Sequence, residues 1–228
     1  MNEIWVCHLG TVDYREALEL QERLRAARQA DELPDILLTL EHPPVYTRGR
    51  RSRPDELPMG EAHGIEIVAT DRGGLVTYHG PGQLIGYPIV RVDDVVAYVR
   101  ALENALVRAL IDEGVARARS RPREGHRYTG VWVEDRKVAS IGVHLSRGVS
   151  THGFAVNVEN DLQPFSWIVP CGLDGVQMTS LLRETGRTPS VMRCFRRRAA
   201  YEVARALGRR QRLVSRARLE TRAPSAVA

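Results

Sequence analysis

Cysteine is the residue type in this 228-residue sequence best suited to covalent chemistry, and its three copies differ in context. Cys171 lies between a proline and a glycine, which predicts a loop with an accessible backbone. Cys7 in an apolar strand and Cys194 on an amphipathic helix are expected to be buried and unreactive. Because a free thiol has a pKa of about 8.5, a nucleophilic Cys171 needs a nearby cation, a helix N-terminus or a base. A loop cysteine is also commonly structural, so residue types alone leave its role open.

Lysine occurs once, at Lys137, among 33 basic residues of which the other 32 are arginine. An ammonium is compact and can release a proton, which a guanidinium cannot do near neutral pH. The lone lysine therefore indicates a position where arginine is unsuitable, with chance survival as the alternative. His79 and His152, each followed by a glycine, are the other groups that could activate a thiol.

The stretch from Arg72 to Pro88 is unusually rich in glycine and proline between apolar and aromatic residues. Glycine at this density predicts tight turns or a backbone that lies against a ligand, and a hairpin without a ligand is the alternative. The stretch lacks the Gly-Lys-Ser/Thr ending of a P-loop and the strand-glycine-helix context of a dinucleotide site. A nucleotide-binding loop of either kind is therefore not expected here.

Composition predicts a globular protein, with 43% hydrophobic and 27% charged residues. The three cysteines form no C-x-x-C pair, which argues against a disulfide framework or a structural zinc site. The sequence has no apolar run of 18 residues and no signal-peptide pattern at its start, so a cytoplasmic location is expected.

Positive charge is concentrated near the C-terminus, where residues 187–228 contain 12 arginines against Glu202 and Glu220. Such a segment suggests an anionic partner, or a solvated arginine-rich helix. Nucleic-acid binding is one alternative function, although only three Phe and three Trp are available to stack on bases.

Apolar periodicity predicts strands from Ile4 to Leu9 and from Asp35 to Leu40. Between them, a helix capped by Thr11 or Asp13 presents Tyr14, Ala17, Leu18 and Leu24 on one face. A second helix follows Asp93 and Asp94, ends before Gly114, and presents the apolar residues Val95, Val96, Val99, Leu102, Leu106, Ala109 and Leu110.

The region from Tyr128 to Val158 predicts an antiparallel meander with turns at 134–136 and 146–148. A last helix is expected to begin at Thr188-Pro189, with Val191, Phe195, Ala199 and Val203 on its apolar face. Separate groups of strands and helices predict an α+β fold rather than a doubly wound sheet. We expect a single catalytic domain over residues 1–208 and a basic, frayed tail over 209–228.

Four ordered motifs, within roughly residues 2–190, resemble those of the lipoyl(octanoyl) transferases, which have the biotin/lipoate protein ligase fold. They are Arg72-Gly73-Gly74 with Thr77-Tyr78-His79-Gly80-Pro81-Gly82-Gln83; Lys137 with Ser140-Ile141-Gly142; His152-Gly153-Phe154-Ala155 with Asn157 and Asp161-Leu162; and Pro170-Cys171-Gly172. The resemblance implies mixed and antiparallel sheets packed with helices.

The resemblance also implies the site residues. Cys171 would carry an octanoyl group as a thioester, and Lys137 would lower the pKa of its thiol. The acyl pocket would be formed by Arg72, Gly73, Gly74, Leu75, Val76, Thr77, Tyr78, His79, Ser140, Ile141, Gly142, Gly153, Phe154 and Ala155. His152 and Asn157 would support these residues from behind. No cofactor or metal is implied.

The implied donor is octanoyl-acyl carrier protein, and the implied acceptors are lipoyl domains of 2-oxoacid dehydrogenase complexes and the glycine cleavage H protein. An ATP-dependent lipoate or biotin protein ligase is the alternative within this fold. The segment from Thr47 to Arg51 superficially resembles the nucleotide loop of a biotin ligase. That loop would have too few glycines, and Cys171 would have no role.

Overall fold

The computed structural model describes residues 2–52, 63–168, 176–187 and 191–222. A mixed main sheet has the strand order β12-β1-β2-β6-β10-β9-β8-β7, and β11 pairs with β9 outside this path. A smaller sheet has the order β4-β3-β5. This is the expected α+β architecture.

The strands and helices follow one another along the chain as β1 (Glu3–Thr11), α1 (Tyr14–Gln29), β2 (Asp35–Glu41), β3 (Val45–Arg48), β4 (Glu66–Ala69), β5 (Val76–His79), β6 (Gln83–Ile89), α2 (Val95–Asp112), β7 (Ala118–Arg119), β8 (Gly130–Val133), β9 (Arg136–Ser146), β10 (Val149–Asn157), β11 (Gln177–Met178), α3 (Leu181–Thr185), α4 (Val191–Ala206), β12 (Arg210–Leu213) and α5 (Arg216–Arg222). Short 3₁₀ helices lie at Pro122–Glu124, His126–Tyr128 and Gln163–Trp167.

The main sheet is buried on both faces because its strands alternate between two apolar clusters. Leu84 and Phe154 point toward α2 and α4, in one cluster with Leu106 and Phe195. The neighbouring residues Ile85 and Ala155 belong to the opposite cluster, together with residues of α1 and α5. The period of two along each strand thus separates the core into two layers.

The first two helices begin as the sequence predicts. Asp13 accepts hydrogen bonds from the backbone N–H groups of the first turn of α1, and Asp94 does the same for α2. Gly114 has a φ of 102° just beyond α2, a conformation that favours glycine at a helix C-terminus. Val95 and Val96, expected on the apolar face, are instead 43% and 64% exposed, because the buried face of α2 begins only at Tyr98.

The predicted meander is confirmed, since β9 pairs antiparallel with both β8 and β10. On the predicted apolar face of the last helix, Phe195, Ala199 and Val203 are fully buried, and the side chain of Val191 lies outside the described residues. The expected cap of that helix at Thr188-Pro189 lies outside the described residues.

The expectation of a frayed tail after residue 208 is wrong for residues 210–222. Strand β12 pairs in parallel with β1, and α5 buries Leu219 completely in the cluster that contains Trp5 and Cys7. The tail adds a strand through backbone hydrogen bonds, which an arginine-rich side-chain pattern does not reveal. Among the described residues, no helix has the length and apolar character required to span a membrane.

Candidate active site

A cavity of about 400 Å³ lies between the small sheet and strands β9 and β10 of the main sheet. This volume falls in the range of about 300–1,000 Å³ that is usual for small-molecule sites. The cavity brings together most of the predicted pocket residues: Arg72, Gly73, Gly74, Leu75, Val76, Thr77, His79, Ser140, Ile141, Gly142, Gly153, Phe154 and Ala155. Lys137 and His152 also line it.

Glycines allow the walls of this cavity to approach each other closely. The Gly73 N–H donates to the Val143 carbonyl at 2.9 Å, which joins the Arg72–Gly74 loop to β9. A Cβ atom at Gly142 would lie 2.8 Å from the Gly73 carbonyl oxygen, so a larger residue there would push this loop away from β9. A Cβ atom at Gly153 would lie 2.3 Å from the Gly86 carbonyl oxygen on β6, so a larger residue there would disturb the pairing of β10 with β6.

Lys137 is almost fully buried, with 1% of its surface exposed, on the strand that forms one wall. Its ammonium lies over the Trp132 ring, 5.2 Å from the ring centre. A Cβ atom at Gly130 would be only 2.9 Å from Cε of Lys137, so this glycine provides space for the lysine side chain. The lone lysine is thus an enclosed cation at the cavity and not a surface residue.

Cys171 and its neighbours Pro170 and Gly172 lie outside the described residues, but the ends of their segment are defined. Ile168 and Met178 pack in the same apolar cluster. Met178 is also the β11 residue that pairs with Lys137. One end of the segment is therefore held directly beside the lysine.

A directional hydrogen-bond chain begins at Arg72, whose guanidinium donates to Oγ1 and to the carbonyl of Thr47, both at 2.7 Å. The Thr47 hydroxyl bonds Nε2 of His79 at 3.2 Å, and Nδ1 of His79 bonds Oε1 of Gln83 at 2.7 Å. Because Gln83 Oε1 can only accept, His79 carries its proton on Nδ1 and accepts at Nε2. Burial holds the pKa of His79 well below its usual value, so the ring is neutral. Both ring nitrogens are occupied within this chain.

The hydrogen-bond chain continues through Asn157 to the polypeptide backbone that follows the Cys171 segment. Gln83 Nε2 donates to Asn157 Oδ1 at 2.9 Å, and Asn157 Nδ2 donates to the Thr179 carbonyl at 3.0 Å. The Thr179 N–H in turn donates to the Lys137 carbonyl at 2.9 Å. Asn157 therefore lies behind the cavity wall and connects it to β11.

His152 is 1% exposed and bonds the Asp71 carboxylate through Nε2 at 2.7 Å. This bond is the main reason that the pKa of Asp71 falls to about 2. The pKa of His152 is itself lowered, because burial outweighs the carboxylate. His152 is opposite Val143 in the sheet, six residues along β9 from Lys137. At about 3.4 Å per residue, roughly 20 Å of strand separates the two groups.

Tyr78 is the one predicted pocket residue that does not line the cavity. Its ring packs on Tyr46 and Phe165, with ring centres 5.6 and 5.5 Å apart. Thr77 and His79, its neighbours on β5, do line the cavity. Successive side chains of a strand point to opposite faces, which separates Tyr78 from Thr77 and His79, while Val76 lines the cavity at the start of β5.

Several lining residues were not predicted from the sequence: Tyr14, Arg51, Tyr87, Val99, His126, Arg127, Thr129 and Val143. Most lie on elements distant in sequence from the glycine-rich stretch. Val99 was predicted to lie on the apolar face of α2, but not at the cavity. Only tertiary packing brings these positions to the cavity.

The two remaining cysteines behave differently from each other. Cys7 is fully buried, and burial raises the pKa of its thiol to about 11. Cys194 is exposed on α4, contrary to the expectation of burial. Phe195 occupies the buried position, and one residue along a helix turns the side chain by about 100°.

Comparison with known proteins assigns the chain to a family. A family model for the lipoyl protein ligase A/B catalytic domain matches residues 13–200. An octanoyltransferase of Mycobacterium leprae is 49% identical over 195 residues, which cover 82% of this chain and 80% of that protein. An octanoyltransferase of Acidothermus cellulolyticus is 48% identical over 187 residues, covering 81% and 83% respectively. The chain belongs to the octanoyltransferases.

The solved structures agree on the fold. A bipartite lipoate protein ligase of Thermoplasma acidophilum superposes with a TM-score of 0.73 at 17% identity, covering 98% of this chain and 91% of that one. Octanoyl transfer in protein lipoylation and the lipoate protein ligase fold, both expected from the motifs, are confirmed. The chain is thus an acyltransferase, as the motifs lead us to expect.

Proposed function

We propose that this octanoyltransferase takes its acyl group from octanoyl-acyl carrier protein, holds it as a thioester on Cys171, and passes it to a lysine of an acceptor protein. The proposed acceptors are lipoyl domains of 2-oxoacid dehydrogenase complexes and the glycine cleavage H protein. The proposal rests on the enclosed ammonium of Lys137, which lies at the cavity. Lys137 also pairs with Met178 of β11, shortly after the Cys171 segment.

The chemistry needs two transfers and no ATP. In the first, the Cys171 thiolate attacks the donor carbonyl, a new C–S bond forms, and the carrier thiolate leaves and takes up a proton. In the second, an acceptor amine attacks the enzyme thioester, an amide forms, and Cys171 is released as a thiol while the amine loses its proton. The first exchange is nearly neutral in free energy, whereas amide formation is downhill and sets the direction. Covalent catalysis divides the transfer into two easier steps.

Lys137 is proposed to favour the thiolate of Cys171 and to move the proton in both steps. An ammonium within a few ångströms stabilises a thiolate and lowers the thiol pKa. Cys171 follows Ile168 by three residues along the chain. The Ile168 side chain packs in one cluster with Met178, which pairs with Lys137. This proximity supports the pairing of thiol and ammonium.

The acyl chain is proposed to occupy the cavity between the Arg72–Thr77 segment and the paired strands β9 and β10. Ser140, Ile141 and Gly142 would contact it from β9, and Gly153, Phe154 and Ala155 from β10. Tyr78 is excluded from this role, because its ring packs on the other side of β5.

Intact-mass measurement after mixing with octanoyl-acyl carrier protein tests the proposal. Wild-type protein is expected to gain one octanoyl group, which peptide mapping would locate on Cys171. Cys171→Ser is expected to lose transfer to a lipoyl domain, whereas Cys194→Ala and Cys7→Ala retain it. An adduct on another residue, or transfer by Cys171→Ala at a substantial rate, would reject the thioester mechanism.

A further inference from the structure

Thr179 uses all of its polar groups to fix the chain that follows the Cys171 segment. Its N–H donates to the Lys137 carbonyl at 2.9 Å, and its carbonyl accepts from Asn157 at 3.0 Å. Its hydroxyl donates to Oε1 of Glu184 at 2.5 Å. Thr179 is 1% exposed, so these bonds form away from solvent. We call Thr179 and these three partners the Thr179 clamp.

The orientation of the Asn157 amide is fixed by its other neighbours. Its Oδ1 accepts from Nε2 of Gln83 at 2.9 Å and from Nδ2 of Asn160 at 3.3 Å. Nε2 of Gln83 also donates to the Tyr78 carbonyl at 3.2 Å, and since a carbonyl can only accept, the Gln83 amide cannot turn around. Asn157 must therefore present its Nδ2 donor to the Thr179 carbonyl. It is 2% exposed, and losing the bond would leave that carbonyl without this donor.

Strand β11 needs this support because it is very short. It comprises only Gln177 and Met178, whereas strands in globular proteins usually have about five or six residues. Its pairing with Arg136 and Lys137 is thus a small contact. The side-chain bonds of the clamp add two further attachments, one to β10 and one to α3.

We propose that Asn157 is a positioning residue for octanoyl transfer, which acts by holding β11 so that the Cys171 thiol meets the Lys137 ammonium. The inference rests on the proposed function, since it concerns the same thiol and the same ammonium. Among the described residues, Asn157 is not one of those that line the acyl cavity. A misplacement of about 1 Å at a reacting group can cost about 10²-fold in rate.

The first test compares Asn157→Ala with Thr151→Ala as a matched control. Both are buried polar residues of β10, but only Asn157 bonds Thr179. In single-turnover acylation by octanoyl-acyl carrier protein, Asn157→Ala is expected to lose about 10²-fold in rate with an unchanged half-saturating donor concentration. The control should stay close to the wild-type rate.

Alkylation of Cys171 by iodoacetamide provides a readout that does not depend on acyl transfer. Its rate follows the thiolate fraction, so the midpoint of its pH profile reports the thiol pKa. Asn157→Ala is expected to shift that midpoint to higher pH, because the ammonium is no longer held against the thiol. A variant that only loosened the fold would lower the melting temperature without this shift.

Asn157→Asp keeps the side-chain shape and adds a pH signature. Burial raises the pKa of a carboxyl group. The protonated acid can donate to the Thr179 carbonyl and restore the clamp, whereas the ionised acid repels that carbonyl. The acylation rate of Asn157→Asp relative to wild type is therefore expected to rise as the pH falls. This variant also decides the question if Asn157→Ala does not fold.

The failures of the two proposals are distinguishable. If wild-type Cys171 is acylated but both Asn157 variants match its rates and its alkylation profile, the positioning role is rejected and the proposed function stands. If wild-type Cys171 is never acylated, the proposed function is rejected, and the alkylation profiles still decide whether Asn157 controls the thiol.

Discussion

Lys137 illustrates how a residue type and its surroundings together select a function. The sequence contains a single lysine, and the structure places its ammonium over the Trp132 ring in a nearly closed site. Cε of Lys137 fits closely against Gly130, where no Cβ can be added without a shift. A planar guanidinium needs more room and cannot release a proton near neutral pH. The surroundings therefore explain why arginine is not found here.

Substitution of Lys137 separates the roles of charge and of proton transfer. Lys137→Ala is expected to lose both octanoyl transfer and thiol alkylation at neutral pH, because the thiol pKa rises without the ammonium. Lys137→Arg should keep part of the alkylation rate, since its charge still favours the thiolate, but lose most of the transfer. Each unit of thiol pKa recovered corresponds to 1.36 kcal/mol of interaction with the thiolate. Paired measurements of acylation rate and of the alkylation pH profile provide the comparison.

Wild-type transfer by Lys137→Arg would contradict this role. Cys171 would then need another activator, such as His152 or a helix N-terminus. His79 is poorly suited, because both of its ring nitrogens are hydrogen-bonded to Thr47 and Gln83.

Among the helices and strands, periodic apolar patterns predict those elements that are held in place by buried side chains. Helix α2 and the β8-β9-β10 meander follow such patterns, and their boundaries agree with the sequence to within a few residues. Strand β12 has no buried residue, since it lies at the sheet edge and is held by backbone pairing to β1. No side-chain periodicity could reveal it.

The candidate site likewise combines residues that local sequence predicts with residues that only tertiary packing brings in. The motifs predicted most of the cavity wall from local sequence, whereas Tyr14 and Tyr87 enter it only through packing. In the hydrogen-bond chain, Thr47 is 25 positions from Arg72 and 32 from His79, and Gln83 is 74 positions from Asn157. Such long-range pairs are not encoded in any one motif.

Helix α5 is expected to contribute to stability through Leu219, which is fully buried in the cluster with Trp5 and Cys7. Leu219→Ala should lower the free energy of unfolding by about 2–5 kcal/mol, as is usual for a leucine removed from a core. Leu213→Ala is the matched control, because Leu213 is 65% exposed on neighbouring β12. Urea unfolding of both variants gives the comparison. Equal stabilities would mean that α5 is not part of the cooperative fold.

At the scale of the whole molecule, much of the C-terminal positive charge is neutralised within the protein. Arg209 pairs with the buried Asp35 at 2.9 Å, and Arg216 pairs with Glu16 at 2.5 Å. Arg212 lies 3.6 Å from Glu3 on β1. These arginines attach the tail to β1, β2 and α1, and their ion pairs reduce the positive charge that is available to a partner.

Exposed arginines at the cavity rim are therefore better placed to meet an anionic partner. Arg51 and Arg127 are exposed and both line the cavity. Arg72 is unsuited to docking, since it is 8% exposed and its guanidinium bonds Thr47. A donor that threads its acyl arm into the cavity must bring its own surface close to this rim.

We expect the second-order rate constant for acylation by octanoyl-acyl carrier protein to fall as salt is added. Steering between exposed charges is screened beyond a Debye length of about 8 Å at physiological ionic strength. The double variant Arg51→Gln with Arg127→Gln should acylate more slowly at low salt and show a weaker salt dependence. Arg212→Gln, the control on the tail, should keep the wild-type rate and salt slope. If the control loses the salt dependence and the rim variant keeps it, the carrier docks on the tail, and the acyl arm must reach the cavity from that side of the sheet.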